Sequence, residues 1–164
     1  MRVRTVKIGY GKELNMKKAL ALIAALFVLG GFSFAREGNV GLGLIFGEPS
    51  GLSFKLWTGE NVAFDAGAAW SFVEGGAFQV HGDLLFHNFN IFNVEQGRMA
   101  LYYGFGGRLK LADQTKVSLR VPLGIAYEFE ETNIELFAEV VPMLNLAPKT
   151  EGDIAGGIGF RYYF

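Results

Sequence analysis

The 164-residue chain contains no cysteine, so neither a disulfide framework nor a thiolate metal centre can form. Histidine occurs only twice, at His81 and His87, which confines imidazole chemistry to one short stretch. Proline occurs four times. Pro49 and Pro148 fall among turn residues, but Pro122 and Pro142 fall inside segments that otherwise alternate like strands. Beyond residue 35 there is no apolar run long enough for a membrane-spanning helix, which needs about 20 residues. No helical periodicity is sustained there either. Positive charge is also short beyond that point. Six of the fifteen Lys/Arg lie in residues 1–35, against one of the sixteen acids. The remaining nine basic and fifteen acidic side chains give a net charge of −6. Such a balance disfavours nucleic acid as a partner.

The early positive charge belongs to an address. Met16, Lys17 and Lys18 open a basic region, residues 19–30 form a short apolar core, and Ser33, Phe34 and Ala35 supply small residues at cleavage spacing. This pattern predicts a secretory signal peptide over 1–35, cut after Ala35, with translation starting at Met16. A transmembrane anchor is the alternative, and the apolar core is too short for it. The mature chain expected is 36–164, one domain.

What the mature chain has in quantity is glycine, phenylalanine and a period of two. Turn signals divide it into eight predicted strands: 39–47, 52–58, 62–73, 77–88, 98–112, 116–129, 133–146 and 153–164. Most breaks are short, so sequential neighbours should pair antiparallel. The prediction is an all-β protein, an eight-stranded antiparallel up-and-down barrel that spans a membrane. In the last strand Ile154, Gly156, Ile158, Phe160, Tyr162 and Phe164 share one face, and Ala155, Gly157, Gly159, Arg161 and Tyr163 share the other. The same sorting holds elsewhere. One parity is apolar and free of charge, for example Leu42, Leu44 and Phe46, or Val117, Leu119, Val121, Leu123 and Ile125. The other carries Lys55, Asp65, Asp83, Arg108, Lys110, Arg120, Glu128, Glu135, Glu139 and Arg161, together with His81 and many glycines.

A soluble barrel puts its apolar parity inside. Here the charged parity is the one crowded with glycine, which suits a narrow lumen, and the large apolar parity suits hydrocarbon. A charge on a lipid face costs about 2–4 kcal/mol at the midplane. Buried charges need partners, so a cross-lumen ion network acting as a plug is expected. With a turn at 59–61, Lys55 falls opposite Asp65. A turn at 113–115 sets Arg108 opposite Arg120, with Glu139 and Asp83 as the carboxylates that reach them. Pro122 and Pro142 each remove a ladder donor, and β-bulges or bends are expected at both.

The C-terminal strand, with Tyr162 two residues before a final Phe164 and Phe160 on the same face, resembles the assembly signal of bacterial outer-membrane β-barrels. Further stretches resemble a family of small bacterial outer-membrane proteins of unassigned function. They run from Gly41 to Leu52, Ala69 to Phe72, His81 to Asn90, Leu101 to Arg108, Val121 to Gly124 and Gly156 to Phe164. The resemblance implies a porin-like eight-stranded barrel in the outer membrane of a Gram-negative-type bacterium, with both ends periplasmic. It also implies outer-membrane lipids and the barrel assembly machinery as partners, and no inherited catalytic residues.

Catalytic readings are weaker. Ser71 lies near His81, Asp83 and His87, but no nucleophile motif surrounds it. Metal binding by His81, Asp83 and His87 meets a spacing problem, since positions i to i+4 of a strand span roughly 13 Å. Glu128, Glu130, Glu135 and Glu139 could pair for glycoside chemistry but read better as lumen and turn charges. The glycines at 104–107 precede no helix that could bind a phosphate. No catalytic residue, metal or cofactor is expected. A secreted lipocalin-like carrier of an apolar ligand and a lipid-modifying outer-membrane enzyme are the alternatives. The extracellular partner is left open.

Overall fold

The computed structural model describes residues 38–48, 50–71, 77–112 and 114–164. The predicted signal peptide over 1–35 lies outside the described residues, as do residues 72–76, the end of the third predicted strand and its turn. Nine strands follow in order: β1 (Val40–Glu48), β2 (Ser50–Trp57), β3 (Val62–Ser71), β4 (Ala77–Asn88), β5 (Arg98–Leu111), β6 (Lys116–Arg120), β7 (Leu123–Glu128), β8 (Ile134–Ala147) and β9 (Glu151–Tyr163). Every pairing is antiparallel, sequence neighbours pair from β1 to β6 and from β7 to β9, and β1 pairs with β9 to close the ring. β6 and β7 lie end to end between β5 and β8. Together they form the sixth stave, so the ring has eight positions and no free edge.

The register fixes the tilt. Followed through its partners, Glu48 leads to Gly156, Val140, Leu123, Tyr103, Phe86 and Val62. The neighbouring bonds Thr58 N–H to Val62 O and Trp57 N–H to Asn39 O complete the circuit near Gly38. That is ten residues back along the same strand. A stagger larger than the strand number means steeply tilted staves, and eight strands leave an interior only wide enough for side chains to fill.

The sixth stave is broken where two prolines each withhold a ladder bond. In an antiparallel ladder, each hydrogen-bonded pair exchanges two bonds. Gly104 N–H reaches Pro122 O at 2.9 Å, and Val121 N–H reaches Pro142 O at 3.0 Å. Neither proline can return the bond. The pairing of β5 with β6 and with β7 nevertheless stays in one register across the break. β8 also pairs with β9 without a shift past Pro142. The expected bulges are therefore absent at both prolines. The one register shift on this stave lies between Val117 and Ser118, opposite β8. Loss of one bond per pair interrupts the ladder without adding a residue.

The two faces of the wall separate by parity as expected. Leu42, Phe46, Leu52, Trp70, Phe105, Leu119, Leu123, Leu136, Ile154 and Ile158 are exposed on the outside. Lys55, Asp65, Asp83, Arg108, Lys110, Arg120, Glu135 and Arg161 are buried inside. Outward ring pairs sit near both rims. Trp70 and Phe78 lie 5.1 Å apart at one end. Tyr127–Phe129 (4.8 Å) and Tyr162–Phe164 (5.0 Å) lie at the other. Apolar bands flanked by aromatic girdles are the exterior of a membrane barrel.

Candidate functional site: the lumen

The lumen is built by pairing large residues with small ones across adjacent strands. Tyr102 faces Gly124, Phe137 faces Gly159, Tyr163 faces Gly41, His81 faces Gly67 and Asp83 faces Gly106. In each case a Cβ placed on the glycine would run into the partner's side chain. Glycine therefore gives each large inward group a seat on the neighbouring strand. This is how a steeply staggered eight-strand wall admits arginine and tyrosine to its interior.

Three tiers of polar contacts fill that space. At the end carrying both Asn39 and Phe164, Glu135 receives Lys55 Nζ at 2.7 Å, Arg161 Nη1 at 2.6 Å and the Tyr163 hydroxyl at 3.0 Å. Arg161 also donates to Asp65 Oδ2 at 2.5 Å and to Ser53 Oγ at 2.8 Å. Its guanidinium lies 3.8 Å from the centre of the Phe137 ring. Lys55 and Asp65 are cross-strand partners, yet the Lys55 ammonium goes to Glu135 and stands 4.5 Å from the Trp57 ring centre.

In the middle tier, Arg120 Nε lies 2.9 Å from Asp83 Oδ2 and Arg120 Nη2 lies 3.6 Å from Glu139. Tyr102 donates to Glu139 at 3.0 Å. In the third tier, Arg108 Nη2 donates to Asn145 Oδ1 at 3.0 Å and to Asp153 Oδ2 at 2.9 Å. Ser118 joins Asn145 at 2.6 Å, and Lys116 lies 3.5 Å from Glu151. Lys110 is buried near this end. Glu128 sits at the opposite mouth, 3.7 Å from Arg98.

One sequence expectation changes here. Arg108 is not opposite Arg120. It faces Ser118, and Arg120 faces Gly106. The hairpin is centred one residue earlier than a 113–115 turn implies, which moves partners by two and keeps the faces intact. Arg108 thus takes Asp153, leaving Asp83 and Glu139 to Arg120. His87 stands apart, as its spacing along the strand implied. It does not gather with His81 and Asp83 but stacks between Trp57, Tyr102 and Phe89, at ring distances of 4.5, 5.2 and 6.2 Å. Neither of its ring nitrogens has a hydrogen-bond partner. The side chain of Ser71 lies outside the described residues. Sequence reasoning also missed Tyr102, Tyr163, Ser53, Ser118, Asn145 and Asp153 as members of the network. Each has the inward parity, which was the available signal.

The connection after β4 folds over the lumen end. Phe89 packs 6.1 Å from Trp57, and Arg98 lies 3.9 Å above the Phe89 ring. Tyr127 donates to Gln96 O at 2.9 Å. Gly97 takes φ 68°, the left-handed conformation that favours glycine. A cavity of about 370 Å³ lies at this mouth, lined among others by Trp57, Glu60, Arg98, Glu128, Glu130 and Tyr163. Phe160, Tyr162 and Phe164 all point outward and are exposed.

No protein-family model matches the chain, and no curated protein matches it. Among solved structures it is similar to the N-terminal β-barrel domain of Pseudomonas aeruginosa OprF. The two share 16% sequence identity at a TM-score of 0.62, over 79% of this chain and 100% of that one. At that identity the likeness concerns the fold. The ring of eight antiparallel positions, the apolar exterior and this neighbour together give the chain the fold of a small outer-membrane β-barrel.

Proposed function

We propose that the protein is exported by a cleaved signal peptide and spans the outer membrane of a Gram-negative-type bacterium, with its lumen plugged. Its role is structural or interactive, and it has no catalytic centre. The observation that carries this reading is the inversion of the wall: large apolar side chains exposed outside, and ion pairs buried inside. A lipocalin-like carrier needs an apolar interior, which the charged lumen opposes. The Glu135 cluster and Phe89 with its neighbours obstruct one end, while Arg108 and its partners cross the other. Lipids of the outer membrane meet the exterior. The exposed face of Phe160, Tyr162 and Phe164 presents the signal for the barrel assembly machinery. Recognition of outside partners falls to the short loops.

Conductance across a planar lipid bilayer tests the plug. Inserted protein should leave the bilayer silent; steady single-channel current would make it a small pore. Fractionation should place the protein with outer-membrane markers, and recovery from the periplasmic soluble fraction would favour the carrier. Incubation with lipopolysaccharide should leave its acyl chains unchanged, and altered chains would reveal an enzyme.

A further inference from the structure

One group of lumen side chains is not accounted for by plugging. Asp65, His81 and Asp83 each offer a ligand atom, and the three atoms lie within 4.8 Å of one another. Asp65 and Asp83 face each other across β3 and β4, and His81 is two residues from Asp83 on the same face. Each carboxylate is held by an arginine through one oxygen only. Arg161 takes Oδ2 of Asp65, and Arg120 approaches Oδ2 of Asp83. The Oδ1 oxygens are not engaged by these arginines. Asp65 Oδ1 stands 3.6 Å from His81 Nε2, beyond hydrogen-bond range. Asp83 Oδ1 has no partner, although the side chain is more than nine-tenths buried. Buried polar atoms without partners are rare and call for a reason.

The geometry points to a divalent metal site at Asp65, His81 and Asp83, suited to Zn²⁺. An imidazole with two carboxylates is a nitrogen–oxygen donor set that zinc accepts, and three protein ligands leave a fourth position open. Zinc bonds of about 2.0–2.2 Å put tetrahedral ligands about 3.4 Å apart. Asp65 Oδ1 and His81 Nε2 already stand near that separation, and small side-chain movements close the rest. The arginines would act as outer partners that orient the ligating carboxylates. Beside His81, Arg120 and Glu139 lies a cavity of about 20 Å³, enough for one water. Gly67 and Gly106 keep the space clear, since a Cβ at either would strike His81 or Asp83. The site excludes His87, and it stands whether or not the barrel conducts.

Zinc content of the detergent-extracted protein, without a histidine tag, tests this directly. After equilibration with micromolar Zn²⁺ and removal of the free ion, elemental analysis should find about one zinc per barrel. The folded His81→Ala variant should retain less than a tenth of that, and His87→Phe should retain it all. No zinc in the wild type, or equal zinc in folded His81→Ala, would overturn the site. A second measurement needs no variant. The chain has two histidines, so Zn²⁺ titration followed by NMR should move the ring signals of His81 and leave those of His87. Unmoved His81 signals, or equal shifts at both rings, would overturn it too.

Discussion

The two faces of this wall are made of alternate residues of the same strands, yet they obey different rules. On the outside, Leu123 and Ile125 need only be apolar, because a fluid hydrocarbon surrounding accepts many shapes. On the inside, Gly124 between them must be glycine, because the Tyr102 ring occupies the place of its side chain. The outer face is specified by chemistry alone. The inner face is specified residue by residue, in both volume and charge. Substitutions that exchange the two rules measure how far they differ.

The largest effect is expected where the inner rule is broken in charge. Glu135→Ala removes the shared acceptor of Lys55, Arg161 and Tyr163, leaving two buried cations with Asp65 as their nearest remaining carboxylate. Removing one partner of a buried pair costs about 3–5 kcal/mol. Urea unfolding of the barrel in lipid vesicles, followed by tryptophan fluorescence, should show a loss of that size. Glu139→Gln should also lower the unfolding midpoint, but by less. It keeps an acceptor for Tyr102, and its contact with Arg120 is the longer one at 3.6 Å. Equal losses for the two would remove the distinction between tiers.

Next in size is a breach of the outer rule. Leu123 is exposed on the apolar face near the middle of the sixth stave. Leu123→Arg should cost about 2–4 kcal/mol in a bilayer. Leu123→Phe at the same position should be close to neutral. If arginine were tolerated there, the exterior would not be facing hydrocarbon. Breaking the inner rule in volume rather than charge comes third. Gly124→Val forces its side chain into the Tyr102 ring, and overpacking of this kind costs about 1–3 kcal/mol. The same glycine-to-valine change at Gly152, where an added Cβ meets nothing, provides the control that should move the midpoint little.

This contrast also explains what could be read before any coordinates. Parity depends on a period of two, so the apolar and charged sets were legible strand by strand. The turn at 59–61 was legible as well, and it placed Lys55 across from Asp65. Partners across the lumen were legible only in part: Asp83 and Glu139 reach Arg120, but Arg108 takes Asp153. They depend on the ring's stagger, to which every hairpin contributes. A single turn centred one residue off moved Arg108 from Arg120 to Ser118 without disturbing either face. The neutral members of the network, such as Asn145 and Tyr163, showed their parity but not their targets. His87 kept the parity of His81, and six residues of strand carried it into an aromatic cluster.

The smallest effect is expected at the prolines, where neither rule is at stake and only the backbone ladder is weakened. Pro142 faces outward and is exposed, and its carbonyl accepts from Val121 while its nitrogen returns nothing. Valine at this site is apolar, β-branched and able to donate, so Pro142→Val restores the missing bond to Val121 O. A backbone hydrogen bond contributes about 0.5–1.5 kcal/mol, and the variant should be more stable by an amount in that range. Pro122 is the poorer site for this change, because its ring is buried inside the wall and valine would have to match its shape. Amide exchange gives the local reading. In the wild type, protection should dip at Gly104 and Leu123, beside the break, relative to the ends of β5 and β8. Pro142→Val should raise it on the β8 side of the sixth stave and leave the β5 side unchanged. If protection rose equally on both sides, the break would be one cooperative defect rather than two missing bonds that happen to lie side by side.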